Sequence, residues 1–192
     1  VPAALILLAA VAALTALSGV SCRAPEAVTF GVVADCQFAA VPASGSRFYD
    51  RSWLKLREAL DGFNARDLRF VVHLGDLIDR DAASYDLILP AFRHARAPVR
   101  FVLGNHDYDI AVADRPGLLE RLGIGPGYYA FTEENWRFVV LNGDELAFNS
   151  PKDAGLEQEA AALYAALLAA KRPNATKWNG GIGRAQMAFL ED

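Results

Sequence analysis

The sequence predicts an α/β fold in which three parallel strands bring polar residues to one edge of a sheet. Three observations point there. Apolar, β-branched runs stop at Asp35, at Gly75-Asp76 and at Gly104-Asn105-His106-Asp107. The stretches between them place apolar residues at helical spacing. The resulting order is β-α-β-α-β, and right-handed crossovers then make the strands parallel and align their carboxyl ends. Ligands of open α/β sheets bind at that edge.

The elements follow in order. Residues 1–22 stand apart: "VPAALILLAAVAALTALSGVSC" has no charge before Arg23. Its apolar core, Ala3 to Leu17, is shorter than the ~20 residues of a membrane span and fits a signal-peptide core. The small residues before Cys22 resemble a bacterial lipoprotein signal, in which Cys22 would be lipidated. A plain secretory signal and an uncleaved anchor are the alternatives. The expected location is therefore exported, periplasmic or on the outer surface, with membrane contact only through a lipid anchor or the signal. "AVTFGVVAD" then reads as a buried strand, and a Pro-, Gly- and Ser-rich loop follows at 40–46. "RSWLKLREALDGFNAR" carries Trp53, Leu54, Leu56, Leu60 and Phe63 at helical spacing.

"LRFVVHLGD" is the second strand, and "YDLILPAFRHA" a second helix that Pro90 kinks or whose start it shifts. "PVRFVLGNHD" is the third strand. "GYYAFTEENWRFVVLNGDE" reads as a hairpin turning at "EEN", with Arg137 to Leu141 as a core strand. "DAGLEQEAAALYAALLAAKR" is a long Ala-rich helix, and "RAQMAFLED" begins a last amphipathic one.

Length and charge narrow the function. A chain of 192 residues suits one domain. The net charge of -4 leaves no footprint for nucleic acid. Arg47, Arg51, Lys55 and Arg57 lie near one another, but acids interleave, so they read as a solvated face. The cysteines are Cys22 and Cys36. With Cys22 cleaved off or lipidated there is no disulfide, and Cys36, pointing away from the side shared by Asp35 and Gln37, is a small buried filler. Asn174-Ala-Thr176 fits a glycosylation sequon and reads as chance.

The chemistry concentrates in "DCQ" at 35–37, "GDLID" at 75–79 and "GNHD" at 104–107. Each glycine allows a sharp turn and close approach to a ligand. Asp35 and Gln37 are spaced to face one side. Asp76 is a hard anionic oxygen able to bridge two cations, and Asn105 offers a neutral carbonyl oxygen. His106 is a ligand or an acid. His73 reads as a core or supporting residue and His94 as exposed. Gln37 puts an amide oxygen where an imidazole would favour Zn²⁺, and oxygen-rich sites suit Mg²⁺ and Mn²⁺.

In this order on these elements, the three blocks resemble the calcineurin-like metallophosphoesterases. The D-x-Q form of the first block, with "KWNGGIGRAQMAFLED", resembles the manganese-dependent ADP-ribose/CDP-alcohol diphosphatase branch. The resemblance implies a dinuclear-metal phosphohydrolase. It would cleave phosphodiester or diphosphate bonds of nucleotide-type small molecules by a metal-activated hydroxide, with two divalent ions, Mn²⁺ foremost. Carried over, Asp35 and Gln37 bind the first metal, Asp76 bridges both, and Asn105 binds the second. His106 assists the leaving oxygen, Asp107 orients His106 through its other ring nitrogen, and Asp79 backs the site. Arg47, Asn179 and Gly180 are substrate-contact candidates.

The family pattern also contains a lone His and a G-H-x-H block, which this chain of three histidines lacks. The expected architecture is therefore a metallophosphoesterase-type β-sandwich flanked by helices, truncated to its N-terminal half and occupying residues 28–192. By itself it should bind metal weakly and show little activity. The alternative is a non-catalytic exported lipoprotein that keeps half of the fold as an interaction module.

Overall fold

The computed structural model describes residues 27–148, 154–177 and 179–191. The expected signal and Cys22 lie outside them. Among the described residues no helix is long and apolar enough to cross a membrane.

The three strands form one parallel sheet in the order β1 (Gly31–Val33), β2 (Val71–His73), β3 (Val99–Phe101). Val32 pairs with Val72, and Val72 with Arg100. The strands are shorter than their apolar runs because each chain leaves the ladder where its polar loop begins. Helix α1 (Ser52–Asn64) covers one sheet face. A Cβ on Gly31 would lie 3.1 Å from the Phe63 ring, so the missing side chain lets the strand sit close under the helix. Leu56 and Leu60 are buried with Val71, Ile78, Ile88 and Leu103. Trp53 and Leu54, expected on the same apolar face, are exposed.

Helix α2 (Ala83–Ile88) ends early, and Leu89–His94 continues as a 3-10 turn with Pro90 in its first positions. Pro90 has no N–H to donate back into α2, so the chain tightens instead of bending. Helix α3 (Leu118–Leu122) closes on Gly123 in the left-handed region, φ 67°.

The hairpin of β4 (Tyr129–Glu133) and β5 (Trp136–Val140) pairs in the expected register, with Glu133 opposite Trp136. It is a separate two-stranded sheet. An aromatic cluster fixes it to the other face of the parallel sheet. Phe30 stacks on Phe70 at 4.7 Å, and Phe138 meets Phe70 edge-on at 4.9 Å.

Two expectations are corrected here. Strand β1 is fully covered on one face only: Val32 is exposed on the other, and Phe30 just before the strand stays partly exposed although it stacks on Phe70. Strand β5 is no core strand: Trp136, Arg137 and Val139 are exposed, while Phe138 and Val140 turn inward. A two-stranded ribbon buries one face, so alternate residues stay in solvent. Helix α4 (Ala154–Ala169) buries little more than Ala160, and α5 (Arg184–Glu191) ends the described chain.

Leu60 is fully buried between α1 and the sheet. Leu60→Ala should cost about 2–5 kcal/mol. Urea unfolding checks this, with a lower midpoint and an unchanged slope expected.

Candidate metal centre at the sheet edge

The three polar blocks meet because their loops continue to pair after the strands end. The N–H of Asp35 donates to Gly75 O at 3.1 Å, and that of Gln37 to Asp76 O at 2.8 Å. Phe38 and Ile78 then form a bridge. The third loop joins through Asp76, whose Oδ1 accepts the backbone N–H of His106 at 2.9 Å. A Cβ on Gly75 would lie 2.5 Å from Gly104 N, and one on Gly104 would lie 2.2 Å from Asp76 Oδ1. Only glycine at both positions permits this approach.

Asp35, Gln37 and Asp76 adopt left-handed backbone, with φ of 55°, 42° and 55°. For residues with a Cβ this costs on the order of 1 kcal/mol or more each, and such strain concentrates at functional sites. Their side chains are also unengaged. Among the described residues, Asp35, Gln37 and Asn105 make no side-chain hydrogen bond or ion pair, and Asp76 engages Oδ1 alone. Two carboxylates and two amides with unused oxygens are a donor set that suits hard divalent ions. Among the described residues no three His, Cys, Asp or Glu side chains converge on one point. The set is therefore rich in amide oxygen and short of imidazole.

Asp107 is not where the resemblance put it. Its carboxylate is buried and faces four donors, none of them His106. Oδ2 accepts from the N–H of Asp76 and of Gly104, both at 2.9 Å. Oδ1 accepts from the N–H of Leu77 at 3.0 Å and from the Tyr85 hydroxyl at 2.8 Å. Burial pushes the Asp107 carboxyl up, and the bonds from Gly104, Tyr85 and Leu77 pull it back. The reason for the misplacement is local. Asn105–Tyr108 is a 3-10 turn, which throws adjacent side chains to different sides.

The carboxylates facing His106 are others. Its Nδ1 lies 3.2 Å from Asp109 Oδ2, off the hydrogen-bonding line, and 3.7 Å from Asp79 Oδ1. Asp79 is also 3.9 Å from Arg80 Nε and 4.0 Å from an Arg47 nitrogen. Arg80 donates to the Tyr49 hydroxyl at 3.0 Å, and this bond, with help from Arg47, holds the phenol below its usual pKa.

Behind the edge, His73 and Cys36 form a neutral pair at 3.3 Å. Burial pushes His73 down to about 4 and Cys36 up to about 12, the latter helped by Asp35 and Asp107. His73 Nδ1 accepts the N–H of Gly75, so its proton sits on Nε2, facing the sulfur. Both are core, as expected. His94 is exposed and pairs with Asp61 at 2.7 Å.

Arg47 lines a cavity of about 570 Å³ that also takes in Asp35, Gln37, Phe48, Arg51 and Lys55. Three of the four cations read as a solvated face therefore border the site. The signal available was the four-residue spacing of Arg47, Arg51 and Lys55.

Asn179 and Gly180 are elsewhere. They border a separate cavity with Leu146, Phe148, Leu163 and Tyr164. Asn179 donates to Asn174 O at 2.9 Å, and a Cβ on Gly180 would lie 2.0 Å from Gly143 O. Gly180 thereby lets the stretch before α5 pack against the exit of β5. Buried Gln186 completes the joint. Its Oε1 accepts Asn142 N at 2.8 Å, and its Nε2 donates to Asn142 O at 3.0 Å. Asn142 Nδ2 in turn donates to the Tyr108 hydroxyl at 3.0 Å, which ties α5 to the turn that carries His106. Trp178 of the same motif lies outside the described residues.

Comparison with known proteins identifies the family and the fold. Residues 28–172 match the calcineurin-like phosphoesterase family. A rice (Oryza sativa) protein named manganese-dependent ADP-ribose/CDP-alcohol diphosphatase is 29% identical, over 85% of this chain and 60% of its own length. A Danio rerio protein of the same name is 31% identical, over 62% of this chain and 46% of its own. The fold matches the crystal structure of a dimetal phosphatase from Danio rerio with a TM-score of 0.70 and 24% identity. That match covers 85% of this chain and 63% of the other. The chain thus spans at most about 60% of the length of these curated relatives.

Asp107→Asn would set an amide N–H₂ against the donors that now share the carboxylate. A loss of about 1–3 kcal/mol is expected in denaturant unfolding. Faster hydrogen exchange at the amides of Asp76, Leu77 and Gly104 should accompany it.

Proposed function

The chain belongs to the calcineurin-like phosphoesterase family, and from that premise we propose that its sheet edge serves a dinuclear-metal phosphohydrolase. The reaction is cleavage of phosphodiester or diphosphate bonds in nucleotide-type small molecules of the ADP-ribose or CDP-alcohol kind. One observation carries the reading: Asp35, Gln37, Asp76 and Asn105 present unengaged oxygens on loops held together in strained backbone.

In this reading Asp35 and Gln37 would hold one divalent ion, Asn105 another, and Asp76 both. Four side chains do not fill two octahedral shells, so further ligands come from outside these residues. Two such ions, when bound, supply a hydroxide nucleophile at neutral pH and neutralise charge developing at phosphorus.

The remaining work falls to the chain's own groups. Asp76 is held by the N–H of His106, which fixes one oxygen and leaves the other for metal. His106 turns Nδ1 toward Asp79 and Asp109, which leaves Nε2 to donate to the leaving oxygen. Asp79 also steers Arg47, which borders the cavity and would meet a substrate phosphate. Gln37 favours Mn²⁺ because an amide oxygen has replaced a nitrogen ligand. The name of the curated relatives supports the metal and the substrate class.

The test is hydrolysis with Mn²⁺ of ADP-ribose, CDP-choline and a simple phosphomonoester, using the protein in a form as long as its relatives. Cleavage of the first two is expected, and cleavage of the monoester alone overturns the assignment. Asp76→Ala should lower kcat/KM by about a thousand-fold, the scale of several kcal/mol at the transition state. An unchanged rate would overturn the two-metal mechanism. Gln37→His should move the preferred metal from Mn²⁺ toward Zn²⁺, read as the ratio of the two affinities by calorimetry.

A further inference from the structure

The cavity beside Asp35 and Gln37 carries a charge pattern of which the hydrolytic reading uses only Arg47. Its volume of about 570 Å³ is in the range that holds a small-molecule ligand. Arg47, Arg51 and Lys55 line it, and Asp35 is the single acid among its lining residues. Arg51 and Lys55 are four residues apart and so share one helix face. Arg51 sits just before α1, whose own first turn contains no acid, so the positive end of the helix adds to the same field, with Asp50 in the turn before it as the nearest opposing charge in the chain. Among the described residues Arg51 makes no ion pair, and it lies over the exposed Phe48 ring at 5.7 Å. Among the described residues Lys55 pairs with Glu58 alone, at 2.8 Å, and both side chains are largely in solvent. Arg51 is therefore free of any carboxylate among the described residues, and Lys55 has only a solvent-exposed partner to exchange, for a ligand whose reacting phosphate sits at the sheet edge.

We infer that Arg51 and Lys55 grade the group on the far side of the scissile bond, favouring substrates that end in an anion and disfavouring, without excluding, those that end in a quaternary ammonium. The inference rests on the nucleotide-diphosphate reading above and names the substrate class within it. The wall distinguishes charge and leaves the base unread. A neutral sugar or glycerol falls between the two extremes.

Calorimetric affinities of the chain for two matched pairs test it, measured in EDTA and again with Ca²⁺. The pairs are UDP-glucuronate with UDP-glucose, and CDP-glycerol with CDP-choline. UDP-glucuronate should bind about five-fold tighter than UDP-glucose, the scale of two solvent-exposed ion pairs. CDP-choline should bind more weakly than CDP-glycerol. Both preferences should shrink toward parity in about 0.5 M salt and in the double variant Arg51→Gln, Lys55→Gln. Both positions are exposed, so the variant should fold, as its thermal unfolding would show. Parity in the unmodified chain, or preferences unchanged in the double variant, overturns the inference and leaves the hydrolase reading standing. Failure of all four compounds to bind overturns the inference and the nucleotide reading together.

Discussion

A single buried carboxylate holds the second and third strand ends in register. Asp107 accepts from two residues of the second loop, one of the third and the hydroxyl of Tyr85 on α2. Each oxygen takes two donors, which exhausts what a carboxylate can accept in good geometry. Buried N–H groups at strand ends have no ladder partner and cost free energy unless something else accepts them. Asp107 accepts three of them at once. The first loop needs no such clip, because Asp35 and Gln37 already donate to the backbone of the second.

The residues at the edge divide into those that build it and those that it displays. Asp107, Gly75, Gly104 and Tyr85 have every polar atom satisfied or every gap closed by the neighbouring loop. Asp35, Gln37 and Asn105 keep their side-chain oxygens unengaged, and two of the three sit in left-handed backbone. Strain and unused donors in the same residues are what a preorganised ligand shell requires. The backbone bonds of Asp35 and Gln37 to the second loop make their strain tolerable, since a loop pinned along its length has no relaxed alternative within reach.

The same logic extends away from the edge. Gln186 on α5 reads the backbone of Asn142, and Asn142 reaches Tyr108 in the turn that carries His106. Beside this contact, Gly180 lies so close to the Gly143 carbonyl that only a glycine fits there. The aromatic cluster of Phe30, Phe70, Phe131 and Phe138 anchors the hairpin to the opposite face. The edge is thus braced from α2 on one side and from α5 on the other.

Much of this was legible in the sequence. The three apolar runs and the polar block after each placed Asp35, Asp76 and Asn105 at one edge, because parallel order allows no other arrangement. The buried roles of His73 and Cys36 followed from alternation along a strand. Partnership between side chains was not legible. Asp107 follows His106 directly, yet a 3-10 turn sends the two apart and gives His106 to Asp79 and Asp109. Arg51 and Lys55 are solvated, as the interleaved acids implied, but charge spacing does not reveal that a cavity opens beside them. Sequence determined which backbone segments meet, since strand order and glycine position are local properties. Tertiary structure decided what each side chain touches, since that depends on turns of a few degrees and on groups tens of residues away.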